Sequence, residues 1–193
     1  MKRIMVTGFE PFGGEQVNPS WEAVRALPDE IFGAAVRKFQ IPVEYRRAEE
    51  ELLRLLEAEN PDLTILCGQA GGRKKISVEC CAINRDHADA PDNAGEVRRY
   101  RPIRPEGAAA YFTDLPAEAM VAAAQAAGAP CEPSFSAGTY VCNHLYYTLL
   151  SRNRRGCFIH VPYSAEQAEG TDRPCLEIAQ MTRGLLAAIE AAL

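Results

Sequence analysis

The stretch Ser136-Ala-Gly-Thr-Tyr-Val-Cys142-Asn-His-Leu-Tyr-Tyr-Thr-Leu-Leu150 combines a tight turn with a helix. The small residues 136–138 are typical of a turn, and apolar side chains recur at helical spacing through residues 140–150. Cys142 therefore falls in the first turn of the predicted helix. Unpaired N–H groups and the positive end of the helix dipole stabilise an anion there, so we expect a lowered pKa for the Cys142 thiol and a nucleophilic role. The alternative is a small buried side chain without chemistry.

Predicted strands and helices alternate on both sides of this stretch. The continuous apolar run 63–67 is typical of a central strand in a parallel sheet. This alternation favours an α/β sheet with helices on both faces, and 193 residues without a shift in composition favour a single domain over residues 1–193. We expect strands at residues 2–7, 34–43, 63–67, 75–83, 130–135 and 157–160, and helices at 18–27, 44–59, 116–127, 140–150 and 174–193.

Composition and charge exclude several classes of function. The net charge of −5 argues against general binding to nucleic acid or to anionic membranes. No segment approaches the length of a membrane span, and the first residues do not form an export signal. Seven unevenly spaced cysteines are typical of free thiols and not of a disulfide framework. We therefore expect a cytoplasmic protein that binds neither nucleic acid nor membrane.

His160 is the histidine that the predicted topology brings to Cys142. A helix over residues 142–152 is about 16 Å long at ~1.5 Å per residue. The strand that returns through residues 157–160, with its lead-in, covers roughly the same distance at ~3.3 Å per residue. His160 should therefore return to the edge of the sheet where α/β proteins place their ligands. We expect it to serve Cys142 as general base and acid, and a satisfied histidine at a strand end is the alternative.

The other two histidines have weaker arguments. His87 lies in the polar, turn-rich segment 84–105, and His144 lies on a different helix face from the thiol. Cys80 and Cys81, close to His87 in the chain, could suggest a metal site. Neighbouring residues of a strand point to opposite faces, however, and the chain has no C-x-x-C spacing. We therefore predict no metal site.

Glu79 is a carboxylate inside an apolar strand, where an unpaired charge would be costly to bury. Its partner is either an arginine or lysine in a structural ion pair, or a histidine that Glu79 orients. Arg73, at the end of a glycine-rich loop, either assists electrostatically or pairs with a carboxylate. Phe9 and Phe12 follow the first strand in a loop, where they either pack onto the core or line a pocket.

Short motifs along the chain resemble those of one known family. They are Gly8-Phe-Glu-Pro-Phe-Gly-Gly, Asn18-Pro-Ser, Gly68-Gln-Ala-Gly-Gly-Arg, Ile76-Ser-Val-Glu79, Ser136-Ala-Gly-Thr-Tyr-Val-Cys142-Asn and Phe158-Ile-His160-Val-Pro. Together they are similar to pyroglutamyl peptidase I (pyrrolidone carboxyl peptidase), cysteine peptidases that remove N-terminal pyroglutamate. The resemblance implies a three-layer α/β/α sandwich around a mostly parallel twisted sheet, a cytoplasmic homotetramer and no cofactor. It also implies a catalytic triad of Glu79, Cys142 and His160.

The resemblance implies peptides with N-terminal pyroglutamate as substrates, and the neutral lactam predicts the nature of the pocket. Such a ring needs a mostly apolar site with a few polar contacts. Phe9 and Phe12 would enclose the ring, and Gln69 or Asn18 would bond its amide. The expected substrate-binding residues are Phe9, Phe12, Asn18, Gln69, Tyr140 and Val141. The thiol would attack the pyroglutamyl carbonyl and form a thioester that water hydrolyses.

Two positions depart from the family pattern. Where the family usually has Asp-Ala-Arg-Ile-Pro-Asp-Asn, this chain has His87-Ala-Asp89-Ala90-Pro-Asp-Asn93. In the family these positions lie near the nucleophile and pocket, so Asp89 would raise the pKa of the thiol and Ala90 would loosen the pocket wall. One alternative is therefore a family member that has weakened or lost peptidase activity and binds a small ligand. A nucleoside-handling enzyme on a similar fold is another, although the chain lacks a phosphate-binding glycine motif.

Overall fold

The computed structural model describes residues 2–193. The strands are β1 Arg3–Phe9, β2 Glu30–Ile31, β3 Ala34–Ile41, β4 Leu63–Gln69, β5 Ile76–Glu79, β6 Cys81–Ile83, β7 Ala110–Phe112, β8 Cys131–Ser134, β9 Gly156–Val161, β10 Tyr163–Ser164 and β11 Cys175–Leu176. The helices are α1 Pro19–Arg25, α2 Tyr45–Glu59, α3 Ala117–Ala126, α4 Val141–Ser151, α5 Ala165–Ala168 and α6 Ile178–Ala192. Within the described residues, seven strands form one sheet in the order β2-β3-β1-β4-β9-β5-β8.

Strand β4 lies at the centre of this sheet, as its apolar run predicts. Every residue of Leu63–Gln69 is buried. The strand pairs in parallel with β1 on one side and with β9 on the other, and Gly68 lies opposite His160 in the second pairing. Burial on both faces explains why the strand carries a run of apolar residues without polar alternation. The central parallel strand is therefore confirmed.

Strand β5 runs against its neighbour β9. The two are antiparallel, with Ser77 opposite His160 and Glu79 opposite Phe158. Because β4 and β9 end at one edge of the sheet, β5 begins at that edge and carries Glu79 past the strand of His160. Beyond it, β8 continues the sheet in parallel with β5. The sheet is thus mostly parallel and brings the acid and the histidine side by side.

Helices cover both faces of the sheet. Helices α1, α3 and α6 pack together, whereas α2 packs against α4. Each long helix turns an apolar side to the core: Leu52 and Leu55 are buried in α2, and Leu185 and Ile189 in α6. Burying such a side chain contributes roughly 1.5–3 kcal/mol. The α/β/α arrangement is confirmed, and within residues 2–193 no helix is both long and apolar enough to cross a membrane.

The strand predicted at residues 75–83 is wrong, because the chain leaves the sheet at Cys80. There the backbone N–H of Cys80 donates to the carbonyl of Ser134, and the Cys80 carbonyl accepts from the N–H of Thr113. Residues after the break form β6, which pairs with β7 in a separate hairpin. The run of strand-forming residues is continuous in sequence, so the break depends on partners that local patterns do not reveal.

The start of α6 and the end of β1 also differ from the predictions. Helix α6 begins at Ile178 and not at Pro174, because residues 175–176 pair with residues 163–164. Phe9 belongs to β1 and not to the following loop. Both differences come from strand pairings with distant parts of the chain.

The polar segment 84–105 lies against the start of α4. Asn143 donates to the carbonyls of Ile83 and Arg85 and accepts from the N–H of Ile83. Within the segment, Asp86 and Arg101 exchange backbone hydrogen bonds. The residue after Cys142 therefore attaches this segment to the helix that carries the thiol.

Candidate active site

Cys142 is the second residue of α4 and lies at the carboxyl end of the central strand. A Cβ atom added to Gly68 would lie 3.1 Å from the Sγ of Cys142 and 2.7 Å from the Cζ of Phe158. A side chain at position 68 would thus displace both groups, and glycine lets the sulfur approach β4. Gly68 is also the register partner of His160. The sulfur and the imidazole therefore lie over neighbouring strands at one edge of the sheet.

His160 and Glu79 form a buried pair behind the thiol. The Nδ1 of His160 lies 2.8 Å from the Oε1 of Glu79, and the Nη1 of Arg73 donates to the same oxygen at 2.7 Å. Since Oε1 accepts from a guanidinium, it belongs to a carboxylate, and the Nδ1 of His160 carries the proton. The Nε2 of His160 is then the nitrogen able to accept a proton. Glu79 thus has both kinds of partner that its buried position predicts.

Burial dominates the pKa of both reactive groups. It raises the pKa of the Cys142 thiol to about 12, and the charge of Glu79 adds to this rise. The backbone N–H of Cys142 and the Arg73 guanidinium act to lower this pKa, but they do not compensate for the rise caused by burial and by Glu79. The lowered thiol pKa that we expected from the helix N-terminus is therefore wrong, because desolvation outweighs the helix end. Burial also lowers the pKa of His160, although the hydrogen bond that His160 donates to Glu79 acts to raise it.

A small apolar cavity opens beside the thiol. It is lined by Phe9, Phe12, Asn18, Val43, Gln69, Tyr140 and Cys142. Phe9 is only 3% exposed, so it packs onto the core and lines the cavity at once. Val141 is fully buried in the core, and Val43, which the sequence patterns did not single out, lines the cavity in its place. The structure thus gathers five of the six expected binding residues around the sulfur.

The two amides expected to contact a ligand differ in how they are occupied. The Oδ1 of Asn18 accepts from both the N–H and the hydroxyl of Ser20, and its Nδ2 donates to the carbonyl of Glu10. Asn18 therefore caps α1, and its amide is already engaged. The Oε1 of Gln69 accepts from Gln167 at 3.1 Å, which leaves the Nε2 donors of Gln69 for a ligand.

The two family departures lie away from the sulfur. Asp89 is exposed and pairs with Arg99 at 3.1 Å, and Ala90 is exposed outside the cavity. The expectation that Asp89 raises the pKa of the thiol is therefore wrong, because burial and Glu79 cause that rise. The expectation that Ala90 loosens the pocket wall is wrong as well, because Ala90 does not line the cavity. The neighbouring Pro91 contacts a residue that lines the cavity, since its carbonyl accepts a 2.9 Å hydrogen bond from the Tyr140 hydroxyl.

The remaining histidines lie outside this cavity. His87 stacks on Tyr100, with 4.3 Å between ring centroids. His144 is buried between Asp86 and Glu49. Local sequence patterns do not indicate these two carboxylate partners, because both belong to distant parts of the chain.

A family model described as pyroglutamyl peptidase matches residues 2–193. The chain belongs to the pyroglutamyl peptidase family. Its relatives are cysteine peptidases, so the chain is an enzyme of this class. The resemblance drawn from short motifs is confirmed, and the family membership replaces the nucleoside-handling alternative. The described fold agrees, because the sheet and its covering helices are shared with solved members of the family.

Individual relatives show how far this similarity extends. A pyrrolidone-carboxylate peptidase of Alkaliphilus oremlandii is 46% identical over 198 residues, covering 99% of this chain and 93% of that protein. One from Chromobacterium violaceum is 52% identical over 170 residues, covering 87% of this chain and 81% of its own length. The crystal structure of pyroglutamyl peptidase I from Bacillus amyloliquefaciens superposes with a TM-score of 0.94 at 40% identity, covering 100% of this chain and 95% of that one.

Proposed function

We propose that this peptidase removes N-terminal pyroglutamate from peptides, with Cys142 as nucleophile, His160 as general base and acid, and Glu79 as the residue that orients the imidazole. The observation that carries the proposal is the position of the sulfur. It lies over Gly68, the register partner of His160, and lines an apolar cavity. A nucleophile, a base with an available ring nitrogen and an apolar site thus meet at one edge of the sheet.

The cavity suits a neutral lactam better than a charged amino terminus. Within residues 2–193 its lining contains aromatic and aliphatic side chains, two amides, one hydroxyl and the thiol, and it contains no carboxylate. A free ammonium would need a carboxylate partner, whereas a lactam needs apolar walls and a few polar contacts. In the proposed complex Phe9 and Phe12 enclose the ring, Tyr140 forms a further wall, and Gln69 bonds the lactam amide.

The reaction starts from a neutral pair, because burial raises the pKa of Cys142 and lowers the pKa of His160. The Nε2 of His160 removes the thiol proton as the sulfur attacks the pyroglutamyl carbonyl. Glu79 holds the Nδ1 proton and stabilises the imidazolium that forms. His160 then protonates the departing amine, and a thioester remains on Cys142. Water, activated by His160, hydrolyses the thioester and releases pyroglutamate.

The start of α4 is the source of oxyanion stabilisation. Val141–Ser151 begins beside the cavity, and Tyr140 makes no side-chain cap bond to the first turn. Free N–H groups there can donate to the oxyanion that forms during attack. Loss of one donor at such a site costs roughly 10²–10³ in rate.

Release of a fluorescent amine from a pyroglutamyl amide tests the proposal. We expect Cys142→Ser to lower kcat/KM by at least about 10³-fold, because the hydroxyl is a poorer nucleophile here. Cys175→Ser is the matched control, since Cys175 is a free and exposed thiol outside the site. Full activity in the Cys142 variant, or equal losses in both variants, would contradict the assignment.

We also propose the cytoplasmic location and the homotetramer that the resemblance implies. The seven cysteines are all free in the described structure, which suits a reducing compartment. The tetramer rests on the family resemblance. Light scattering on the purified chain tests it, and a monomer at micromolar concentration would contradict it.

A further inference from the structure

Arg73 connects three parts of the site that are separate in sequence. Its Nη1 donates to the Oε1 of Glu79 at 2.7 Å and lies 3.5 Å from the hydroxyl of Ser134, and its Nη2 donates to the carbonyl of Ser136 at 2.9 Å. Ser136 begins the turn that leads into α4 and its thiol. One guanidinium therefore holds the acid behind His160 and the turn in front of Cys142.

The charges around Glu79 show why a cation is needed there. Glu79 is fully buried, and within residues 2–193 its Oε2 has no hydrogen-bond partner. Its charge is therefore met through Oε1 alone, by Arg73 and by the Nδ1–H of His160. A buried carboxylate without this cation would draw a proton onto the adjacent imidazole. That protonation removes the base from the proposed mechanism.

We propose that Arg73 is a positioning residue that shares the charge of Glu79 so that His160 stays neutral, and that anchors the Ser136 turn against this pair. The inference rests on the proposed function, because it assigns Arg73 a part in that reaction. Arg73 lies outside the cavity lining, so its contribution falls on the chemical step and not on substrate binding. The sequence leaves two roles open for Arg73, electrostatic assistance or pairing with a carboxylate. In this proposal the two are the same, because the ion pair with Glu79 is the electrostatic contribution.

The charge of Arg73 should affect the pH dependence of activity in a definite direction. The positive charge of Arg73 lowers the pKa of His160 and also lowers the pKa of the Cys142 thiol. Activity requires neutral His160, so it falls at low pH as the imidazole takes up a proton. Without Arg73 the imidazolium is stabilised by Glu79 alone, and the acid limb of the profile moves to higher pH. Alkylation of the thiol becomes slower at any given pH for the same reason.

The experiment measures kcat and KM of Arg73→Gln against pH with a pyroglutamyl amide, together with the rate of Cys142 alkylation by iodoacetamide. We expect the acid limb of kcat/KM to move up by about one pH unit or more, with KM nearly unchanged. The loss of kcat/KM in Arg73→Gln is therefore about tenfold larger at pH values below the acid limb than at pH values above it. Lys75→Met is the matched control, because Lys75 pairs with Glu132 near the same loop and outside the site.

The outcomes separate the two proposals. If kcat/KM falls uniformly and the pH profile and alkylation rate stay unchanged, Arg73 is structural and the inference is wrong. If activity survives Cys142→Ser in the same assay, the proposed function fails first. If Arg73→Gln does not fold, Arg73→Lys decides: lysine keeps the charge but cannot span Glu79 and Ser136 together, so kcat falls while the acid limb stays in place. Unchanged kcat in that variant overturns the anchoring role.

Discussion

Two buried histidines of this enzyme bond to carboxylates, yet they differ in the number of partners. His160 has one, Glu79, on its Nδ1 at 2.8 Å. His144 has two, with Asp86 at 3.0 Å from its Nδ1 and Glu49 at 2.8 Å from its Nε2. Both side chains are almost wholly buried. The difference in partners assigns one ring to chemistry and the other to structure.

His144 is held as a cation. Since each ring nitrogen faces a carboxylate, both nitrogens carry protons. Burial acts to lower the pKa of His144, but the hydrogen bonds to Asp86 and Glu49 outweigh it and raise the pKa. Arg98 also donates to Asp86 at 2.8 Å, and Arg104 bonds to Glu49, so the cluster contains two carboxylates and three cations. It joins α2, α4 and the segment 84–105.

His160 keeps one nitrogen free, and its pKa falls on burial. A neutral ring with a fixed Nδ1 proton is the form that a general base requires. The comparison teaches that carboxylate count, more than burial, separates a base from a structural cation in this protein. The same substitution should therefore cost more activity at His160 and more stability at His144.

The largest effect is expected for activity at His160. His160→Phe keeps a ring of similar size and removes the proton acceptor, so kcat/KM should fall by about 10³-fold or more. His144→Phe should keep kcat/KM within a few fold under conditions where the protein stays folded. Pyroglutamyl amide hydrolysis by both variants, with circular dichroism to confirm folding, makes the test. Equal losses of activity would break the proposed division of roles.

Stability should show the reverse order. His144→Phe leaves Asp86 and Glu49 facing an apolar ring, and removing one partner of a buried charged network costs roughly 3–5 kcal/mol. His87→Gln is the control, because His87 stacks on Tyr100 in a half-buried position. Urea unfolding at pH 6 gives the free energies. A loss below about 1 kcal/mol in the His144 variant would show that this cluster is not a stabilising cation site.

The two histidines should also give stability slopes of opposite sign with pH. His144 has a raised pKa in the folded protein, so its contribution is present below the ordinary value of about 6.5 and is lost as pH rises through the folded pKa. His160 has a lowered pKa, so its contribution is present above about 6.5 and is lost as pH falls. Each slope reaches at most about 1.4 kcal/mol per pH unit.

Urea unfolding of each Phe variant and of the native chain, measured from about pH 5.5 to about pH 9, isolates these slopes. This pH range covers the titration of histidine. The destabilisation by His144→Phe should shrink as pH rises. The destabilisation by His160→Phe should grow with pH until it levels off. Parallel curves for the two variants would contradict the assigned protonation states.

Local patterns predicted the parts of the site that depend on short-range order. The apolar run of β4 and the turn before α4 are contiguous, and the helix and strand lengths returned His160 to the correct edge. The patterns failed where distant groups decide. The pKa of Cys142 depends on burial by residues far along the chain, and Glu49 lies 95 positions from His144. Such pairs leave no periodic signal in one sequence.

The smallest effect is expected at Asp89, one of the two departures from the family pattern. Asp89→Arg restores the family residue type, but Asp89 is exposed, pairs with Arg99 and lies outside the cavity. Exposed ion pairs contribute about 0–1 kcal/mol, so kcat/KM and stability should both change by little, within about twofold for the rate. The native chain should already be active. A gain of tenfold or more would show that position 89 reaches the thiol during turnover, and the cluster around His144, which anchors the same segment, would then be the element that moves.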